Sequence, residues 1–325
     1  MMRHIVKWHM ALATACVTLC ATAANLTAQS SPELRYVDLA TPFERAAIDT
    51  AGQPETDRIG VIRSRVGGMV PGIYPGGTAM DRRIAVALQE FLADRADYDR
   101  VIASFPAALR DAIKRFRKVF PDFTSPLPIY LYHSLGQRDG GSDYLQPGNR
   151  HVMLFGADMI AKYHDDESLE PFLIHEIFHL EHARHSADCD QLWCTLWQEG
   201  LAVDATAAMV PHATDHQLLL DIPRPIRAAT EAQWPVALCF VADHFDDTGA
   251  TASALMMGGD PPKGLPDRFG YYVGFRLAQA TGSPITRLSR MRNEQVRAIA
   301  RDALAKLIRD AGAPCAAPPR PSPTR

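Results

Sequence analysis

Hydrophobic positions recur along this chain with two different periods, and each period predicts a different kind of element. Apolar residues spaced three and four apart predict helices, whereas short runs of β-branched and aromatic residues predict strands. The helical spacing occurs in residues 81–95, 106–120, 195–210, 269–280 and 293–310, and in the stretch that follows Ser168. Residues 234–243 are expected to form a further helix or a buried segment. Residues 128–133 and 151–155 have the strand pattern. Two strands set among many helices predict an α+β protein with a mixed sheet.

Three stretches of the chain show neither period. Residues 29–58 are polar and are expected to be extended, and residues 60–77 are so rich in glycine and proline that they predict a long loop. The tail from residue 311 is rich in proline and is expected to lack structure apart from Cys315. We therefore predict an N-terminal loop and helical region over residues 29–124, a main domain over 125–310 and a tail over 311–325.

The helix that follows Ser168 carries the strongest chemical signal. Its apolar residues are spread so widely that most of its surface should be buried, yet it contains His175, Glu176 and His179 in an H-E-x-x-H arrangement. Residues four apart lie on one face of a helix, so the two imidazoles can converge on one Zn²⁺ ion. Glu176 lies close to such an ion without binding it and can deprotonate a polarised water molecule. The pattern predicts a zinc site with a general base.

The first 28 residues have the pattern of a secretory signal peptide. Arg3, His4 and Lys7 form a positive start, residues 10–24 are apolar, and small-residue cleavage sites end at Ala23 and Ala28. An apolar stretch of about 15 residues is short for a membrane span, so no stable membrane anchor is expected after cleavage. We predict secretion, into a bacterial periplasm.

Charge and cysteine content narrow the class of protein further. The chain has 34 Lys+Arg against 37 Asp+Glu, and no basic cluster that would predict binding to nucleic acid. Four cysteines follow the signal peptide, and in an oxidising compartment an even number predicts two disulfides. Of the three possible connectivities we expect Cys189–Cys194 with Cys239–Cys315.

A catalytic zinc ion usually takes three protein ligands and keeps one position for water, so a third ligand is needed. His185 has the outer spacing of the metzincin motif, but that motif needs a glycine, where this chain has His182, to turn the chain. Glu199 lies in the next predicted helix beside Gly200, and a helix tolerates glycine where another element, here the motif helix, packs closely. We predict Glu199 as the third ligand and keep His185 as the alternative.

The segment His175-Glu-x-x-His179, followed after 19 residues by Glu199 in a Trp-x-Glu-Gly-Leu-Ala segment, resembles the gluzincin metallopeptidases. The chain is more closely similar to the secreted zinc-dependent proteases known from sequence, whose functions are largely unassigned. Those proteins also tend to carry a Gly-Tyr-Tyr-x-Gly element, which matches residues 270–274 here. The resemblance covers roughly residues 125–310.

The resemblance implies a zincin-like fold, with a mixed sheet and the motif helix in one lobe and a mainly helical second lobe. It implies that His175, His179 and Glu199 are the zinc ligands and that Glu176 is the general base of a metallopeptidase. Gluzincins often place an acidic residue four positions after the ligand glutamate, but here that residue is valine and Asp204 comes one position later.

The expected activity is hydrolysis of a peptide or protein substrate by zinc-activated water. Tyr271 and Tyr272 are candidates to donate a hydroxyl to the developing oxyanion, and the alternative is that both are aromatic core residues. Residues 151–155 would hold an extended substrate if they form a sheet edge, and would otherwise be an ordinary strand. Two alternative functions are a non-catalytic zinc-binding protein with the same fold and a metzincin-type protease that uses His185.

Overall fold

The computed structural model describes residues 35–187, 189–222, 224–250, 254, 261 and 263–316. The predicted signal peptide and the end of the predicted proline-rich tail lie outside these residues. The described residues form one compact unit. Within the described ranges, no helix combines the length and the apolar character needed to cross a membrane.

The protein is α+β, as predicted, with a small mixed sheet and many helices. In chain order the elements are β1 (Tyr36–Asp38), α1 (Ala40–Asp49), α2 (Glu55–Ile62), α3 (Thr78–Glu90), α4 (Arg95–Val119), β2 (Ile129–Tyr132), β3 (Ser142–Leu145), β4 (Arg150–Gly156), α5 (Ala157–Tyr163), α6 (Leu169–His182), α7 (Leu192–Met209), α8 (Arg227–Ala232), α9 (Trp234–Asp243), α10 (Phe269–Ala280), α11 (Ile285–Leu288) and α12 (Asn293–Asp310). A short π-helix, Arg63–Gly67, continues α2. The predicted bounds of α9, α10 and α12 are confirmed.

The four strands form one sheet in the order β1-β2-β4-β3. Strands β1, β2 and β4 are parallel, and β3 runs antiparallel to β4 at the edge of the sheet. Every residue of β2 is buried, as expected for a strand between two parallel neighbours. The strand predicted at residues 151–155 is therefore interior. The edge strand next to it is β3, which the sequence did not reveal because glycines surround it.

The N-terminal part of the described chain is more regular than predicted. Residues 35–62 form β1, α1 and α2 instead of an extended segment, because a short alanine-rich face with Phe43 is buried against the rest of the protein. Residues 60–77 begin inside a helix and then pack through Tyr74, whose hydroxyl donates to the carbonyl oxygen of His133 (2.7 Å). Helix α5 also separates β4 from α6, so the motif helix does not follow the strand directly.

Helix α6 lies against α4 and α7, and α7 packs in turn on α10. Arg115 of α4 holds α6 and α7 together at one end. Its guanidinium donates to Glu170 at the start of α6 (2.6 Å) and to the carbonyl of Met209 at the end of α7 (3.3 Å). The start of α6 therefore lies beside the end of α7, and the two helices run in opposite directions.

Helices α7 and α10 touch through their backbones at two glycines. A Cβ atom on Gly200 would overlap the backbone carbonyl of Gly274, and one on Gly274 would overlap the carbonyl oxygen of Leu196. The close neighbour of Gly200 is therefore α10, and the prediction that it would be the motif helix is wrong. This contact determines how Glu199, next to Gly200, is placed relative to Tyr271, one turn before Gly274.

Replacing Gly200 with alanine is expected to destabilise the protein by about 2–3 kcal/mol, at the upper end of the usual penalty for overpacking. The new methyl group meets backbone atoms, which cannot rotate away, and this outweighs the gain of up to about 1 kcal/mol in helix propensity. Chemical denaturation measures the difference. Gly60→Ala in α2 is the matched control, because a Cβ there has nothing within 4 Å, and it should be neutral or stabilising. Equal effects of the two substitutions would contradict the close crossing.

Both predicted disulfides are present. Cys189 pairs with Cys194 and closes the connection between α6 and α7, and Cys239 of α9 pairs with Cys315 beyond α12. The first bond therefore restrains the segment between the two helices that carry His175 and Glu199. The second attaches the end of the described chain to its helical part.

Candidate metal centre

The centre begins with the local geometry of α6. His175 and His179 lie one turn apart on this helix, and their ring centres are 4.9 Å apart. Ser168 occupies the N-cap position, as predicted, but its hydroxyl donates to Asp165 (3.0 Å) and caps no helix N–H. The helix is buried on most sides, so its histidines are held in a largely fixed setting.

Helix α7 brings a third donor atom to the two histidines. The Nε2 atoms of His175 and His179 are 3.2 Å apart, and the Oε2 atom of Glu199 lies 3.2 Å from the first and 3.5 Å from the second. Ligand atoms at about 2.0–2.2 Å from a tetrahedral zinc ion are about 3.3–3.6 Å from one another. The triangle therefore has nearly the size that a tetrahedral ion requires.

A second carboxylate, Glu176, lies beside the same histidines. His175, Glu176 and His179 place donor atoms within 4.8 Å of one another, so this group could hold a metal ion. Glu199 forms the tighter set, which leaves Glu176 as the carboxylate better placed to act on a bound water molecule. The chain segment before β3 packs directly on Glu176, since a Cβ on Gly140 would lie 2.8 Å from its side chain.

The charges of the cluster suit a cation. Burial lowers the pKa of His175 and keeps that imidazole neutral. Burial alone would raise the pKa of Glu199, but His179 and His175 hold it well below its usual range. Burial would lower the pKa of His179, whereas the Glu199 and Glu176 carboxylates raise it to about 9. In the metal-free protein His179 therefore holds a proton at neutral pH, and a bound metal ion would release it.

The pKa of Glu176 is also shifted. Burial raises it to about 8, although His179 opposes the shift. A general base works best with a pKa near the operating pH. The cluster is open on one side, because the side chain of His175 is 3% exposed whereas those of His179 and Glu199 are 27% and 22% exposed. Water can therefore reach it.

The two predicted tyrosines have different surroundings. Tyr271 stacks on His175, with ring centres 6.3 Å apart, and burial raises the pKa of its hydroxyl, which stays protonated. The hydroxyl of Tyr272 donates to Glu231 and accepts from Arg276 (2.9 Å). The structure thus brings Tyr271 to the cluster and directs the hydroxyl of Tyr272 elsewhere.

Two other residues considered from the sequence lie apart from the donor atoms. The Nε2 atom of His185 is 3.6 Å from Glu181, beyond the end of α6. Burial raises the pKa of Asp204 to about 6, with no charged neighbour affecting it, and Asp204 forms no hydrogen bond to a histidine of the described chain.

The Nδ1 atom of His175 is buried without a partner among the described residues.

Arg268 also lies at the centre, although it was not a candidate from the sequence. It is the N-cap of α10 and has a left-handed backbone conformation (φ 62°). Its guanidinium carbon is 4.3 Å from the centre of the Tyr271 ring. No sequence pattern marks this arginine, because its position depends on how α10 packs against α6 and α7.

A cavity of about 490 Å³ lies in another part of the protein, among α3, α4 and α5. His133 and Asp158 line it, and none of the residues of the metal centre does. Asp158 accepts hydrogen bonds from the backbone of Ser134 (2.6 Å) and Gly136 (2.7 Å), which accounts for its position. We therefore do not assign this cavity to the centre.

Comparison with known proteins gives no match. No family model, no curated protein and no solved structure is significantly similar to this chain. What the protein does must therefore be inferred from its own residues and their geometry.

Proposed function

We propose that this chain is a zinc-dependent peptidase of the gluzincin type. The observation that carries the proposal is the triangle of donor atoms from His175, His179 and Glu199, with edges of 3.2–3.5 Å, next to a further carboxylate, Glu176. Two imidazoles and one carboxylate form a zinc donor set that leaves a position open for water. A purely structural zinc site has no use for a second carboxylate beside its ligands, and burying one is costly. The presence of Glu176 therefore supports catalysis.

A zinc ion held by His175, His179 and Glu199 would act as a Lewis acid and polarise a water molecule and the substrate carbonyl. Glu176 accepts the proton of the attacking water and then donates it to the leaving amine. Tyr271 remains protonated and donates its hydroxyl to the negative charge that develops on the carbonyl oxygen. Tyr272 takes no part in this scheme, because Glu231 and Arg276 engage its hydroxyl.

The substrate that this arrangement favours is an extended peptide. One side of β3 has no strand partner among the described residues, and such an edge can pair with an added strand. Gly140 precedes β3 and packs on Glu176, so a peptide along this edge would pass the general base. We also propose that the protein is secreted, into a bacterial periplasm, because both disulfides would persist in an oxidising compartment.

The zinc-loaded protein is expected to cleave unfolded casein, to lose this activity when a chelator removes the metal, and to regain it when zinc is restored. Product formation followed by mass spectrometry measures cleavage and gives the cleavage sites. A protein that binds one equivalent of zinc but leaves casein intact would instead be a non-catalytic zinc-binding protein.

A further inference from the structure

The residues assigned above act on the peptide bond itself, and none of them distinguishes one substrate from another. We propose that Arg268 recognises a carboxylate of the substrate within about three residues of the scissile bond. This inference rests on the proposed peptidase function and specifies the class of substrate that it takes.

Arg268 belongs to the wall of the metal centre. Its guanidinium lies over the face of Tyr271 at 4.3 Å, and the Tyr271 ring stacks on His175 at 6.3 Å. The distance from the guanidinium carbon to the centre of the His175 ring is therefore at most the sum of these two distances. The left-handed backbone of Arg268 is unfavourable for a residue with a side chain, so the surrounding structure must hold it in place.

The protein engages part of the hydrogen-bonding capacity of this arginine, partly through the side chain of Tyr271. A guanidinium has five N–H donors, and here Nη1 donates to the carbonyl of Ile222 (3.0 Å). No carboxylate of the described chain forms an ion pair with Arg268, and the neighbouring Asp267 is paired with Arg224 instead. Arg268 also lies at the start of α10, where the helix dipole favours an anion over a cation. The carboxylates of Asp139 and Glu199 act on Arg268 from a distance, so an anionic ligand would be its first direct ion-pair partner beside the described residues.

The distance between Arg268 and the metal ligands limits where on the substrate the anionic group can lie. An extended peptide advances about 3.3–3.6 Å per residue, so a carbonyl at the metal ligands and a group at Arg268 are separated by no more than about three residues. A carboxylate fits the planar fork of a guanidinium through two parallel hydrogen bonds. Such a carboxylate could be the free C-terminus of a short peptide or the side chain of an Asp or Glu near the scissile bond.

Peptide pairs that differ only in one carboxylate separate these sources. One pair compares the free acid with the C-terminal amide, and the other compares Glu with Gln next to a cleavage site found in casein. For zinc-loaded wild-type protein we expect kcat/KM to be about 10- to 100-fold higher for the carboxylate form of one pair. A difference of this size is what one hydrogen bond to a charged group contributes. The ratio should fall to about one in Arg268→Gln. Arg268→Lys should give an intermediate ratio, because lysine keeps the charge and loses the fork.

Arg224→Gln is the matched control, since it removes a nearby but exposed arginine, and it should keep the wild-type ratio. Zinc content and unfolding temperature check that each variant is folded. If Arg268→Gln does not fold, the carboxylate preference is tested with Arg268→Lys instead. A preference that survives in the folded Arg268→Gln variant overturns the inference. An equal loss for every peptide also overturns it, because Arg268 would then act on the reacting carbonyl.

Binding without turnover provides a second readout. Zinc-loaded Glu176→Gln protein is titrated calorimetrically with acetylated dipeptides in their acid and amide forms and in their Glu and Gln forms. We expect one carboxylate form to bind about 10- to 100-fold more tightly, and Arg268→Gln in the same background to remove the difference. If the wild-type protein cleaves no peptide, the peptidase function fails, and this titration alone decides on Arg268. Equal binding of the paired dipeptides overturns the inference.

Discussion

Replacing Glu176 with glutamine is expected to reduce peptide hydrolysis by about 10²- to 10⁴-fold while zinc remains bound at about one equivalent. Glutamine has nearly the same shape but cannot accept the proton of the attacking water. The metal ligands are unchanged, because the donor triangle is formed by His175, His179 and Glu199. Folding should also be tolerated, since burial raises the pKa of Glu176 to about 8, so its carboxyl is mostly neutral at pH 7 in the metal-free protein and a neutral amide suits the same surroundings. Turnover and bound zinc are measured on the same sample.

Glu181→Gln provides the matched control for this prediction. Glu181 is a buried carboxylate on the same helix, but it contacts Arg184 (2.9 Å) and His185 and lies away from the donor atoms. Its replacement should leave the turnover of the folded protein close to that of the wild type. Loss of zinc from Glu176→Gln would make this residue a ligand, and unchanged turnover would remove it from the mechanism.

Glu199→Ala is expected to weaken zinc binding by more than about 100-fold, because loss of residues that merely support ligands already costs about 10- to 100-fold. The substitution removes the only anionic atom of the donor triangle and leaves two imidazoles. His185→Ala should leave the affinity nearly unchanged, since the Nε2 atom of His185 lies next to Glu181. Chelator competition at one pH measures both affinities.

The two substitutions also separate the two zinc-peptidase families considered from the sequence. If His185→Ala lost zinc and Glu199→Ala kept it, the site would be of the metzincin type and the gluzincin assignment would be wrong. A fixed pH is essential, because His179 has a pKa raised to about 9 by Glu199 and Glu176 and must lose a proton when the metal binds. Removing Glu199 lowers that pKa and so changes the competition between proton and zinc.

Some features of the site depend on neighbouring residues alone, and for these the sequence is sufficient. His175, Glu176 and His179 are brought together by a single turn of α6, because residues four apart face the same way on any helix. The bounds of α10 and α12 follow from long periodic patterns. By contrast, β3 and α5 were not predicted, because each is short and β3 has glycines on both sides.

The rest of the centre depends on how helices from distant parts of the chain pack. Glu199 was a candidate from the sequence, but only the antiparallel packing of α7 on α6 brings its carboxylate to 3.2 Å from His175. Tyr271 and Tyr272 are neighbours in the sequence and equivalent as candidates there. The position of α10 on α7, where Gly200 meets Gly274, turns the ring of Tyr271 towards His175 and the hydroxyl of Tyr272 towards Glu231.

The sequence by itself determined which residues of α6 could hold a metal ion, and the tertiary structure decided which residues from other helices join them. The two histidines and Glu176 lie within five consecutive residues, so their spacing is a property of the helix and requires no further contact. Arg268 had no such signal, because an arginine before a helix is common and its role arises only when the packing of α10 places it over Tyr271. Contacts between residues far apart in the chain depend on the shapes of whole helices, which no local pattern encodes.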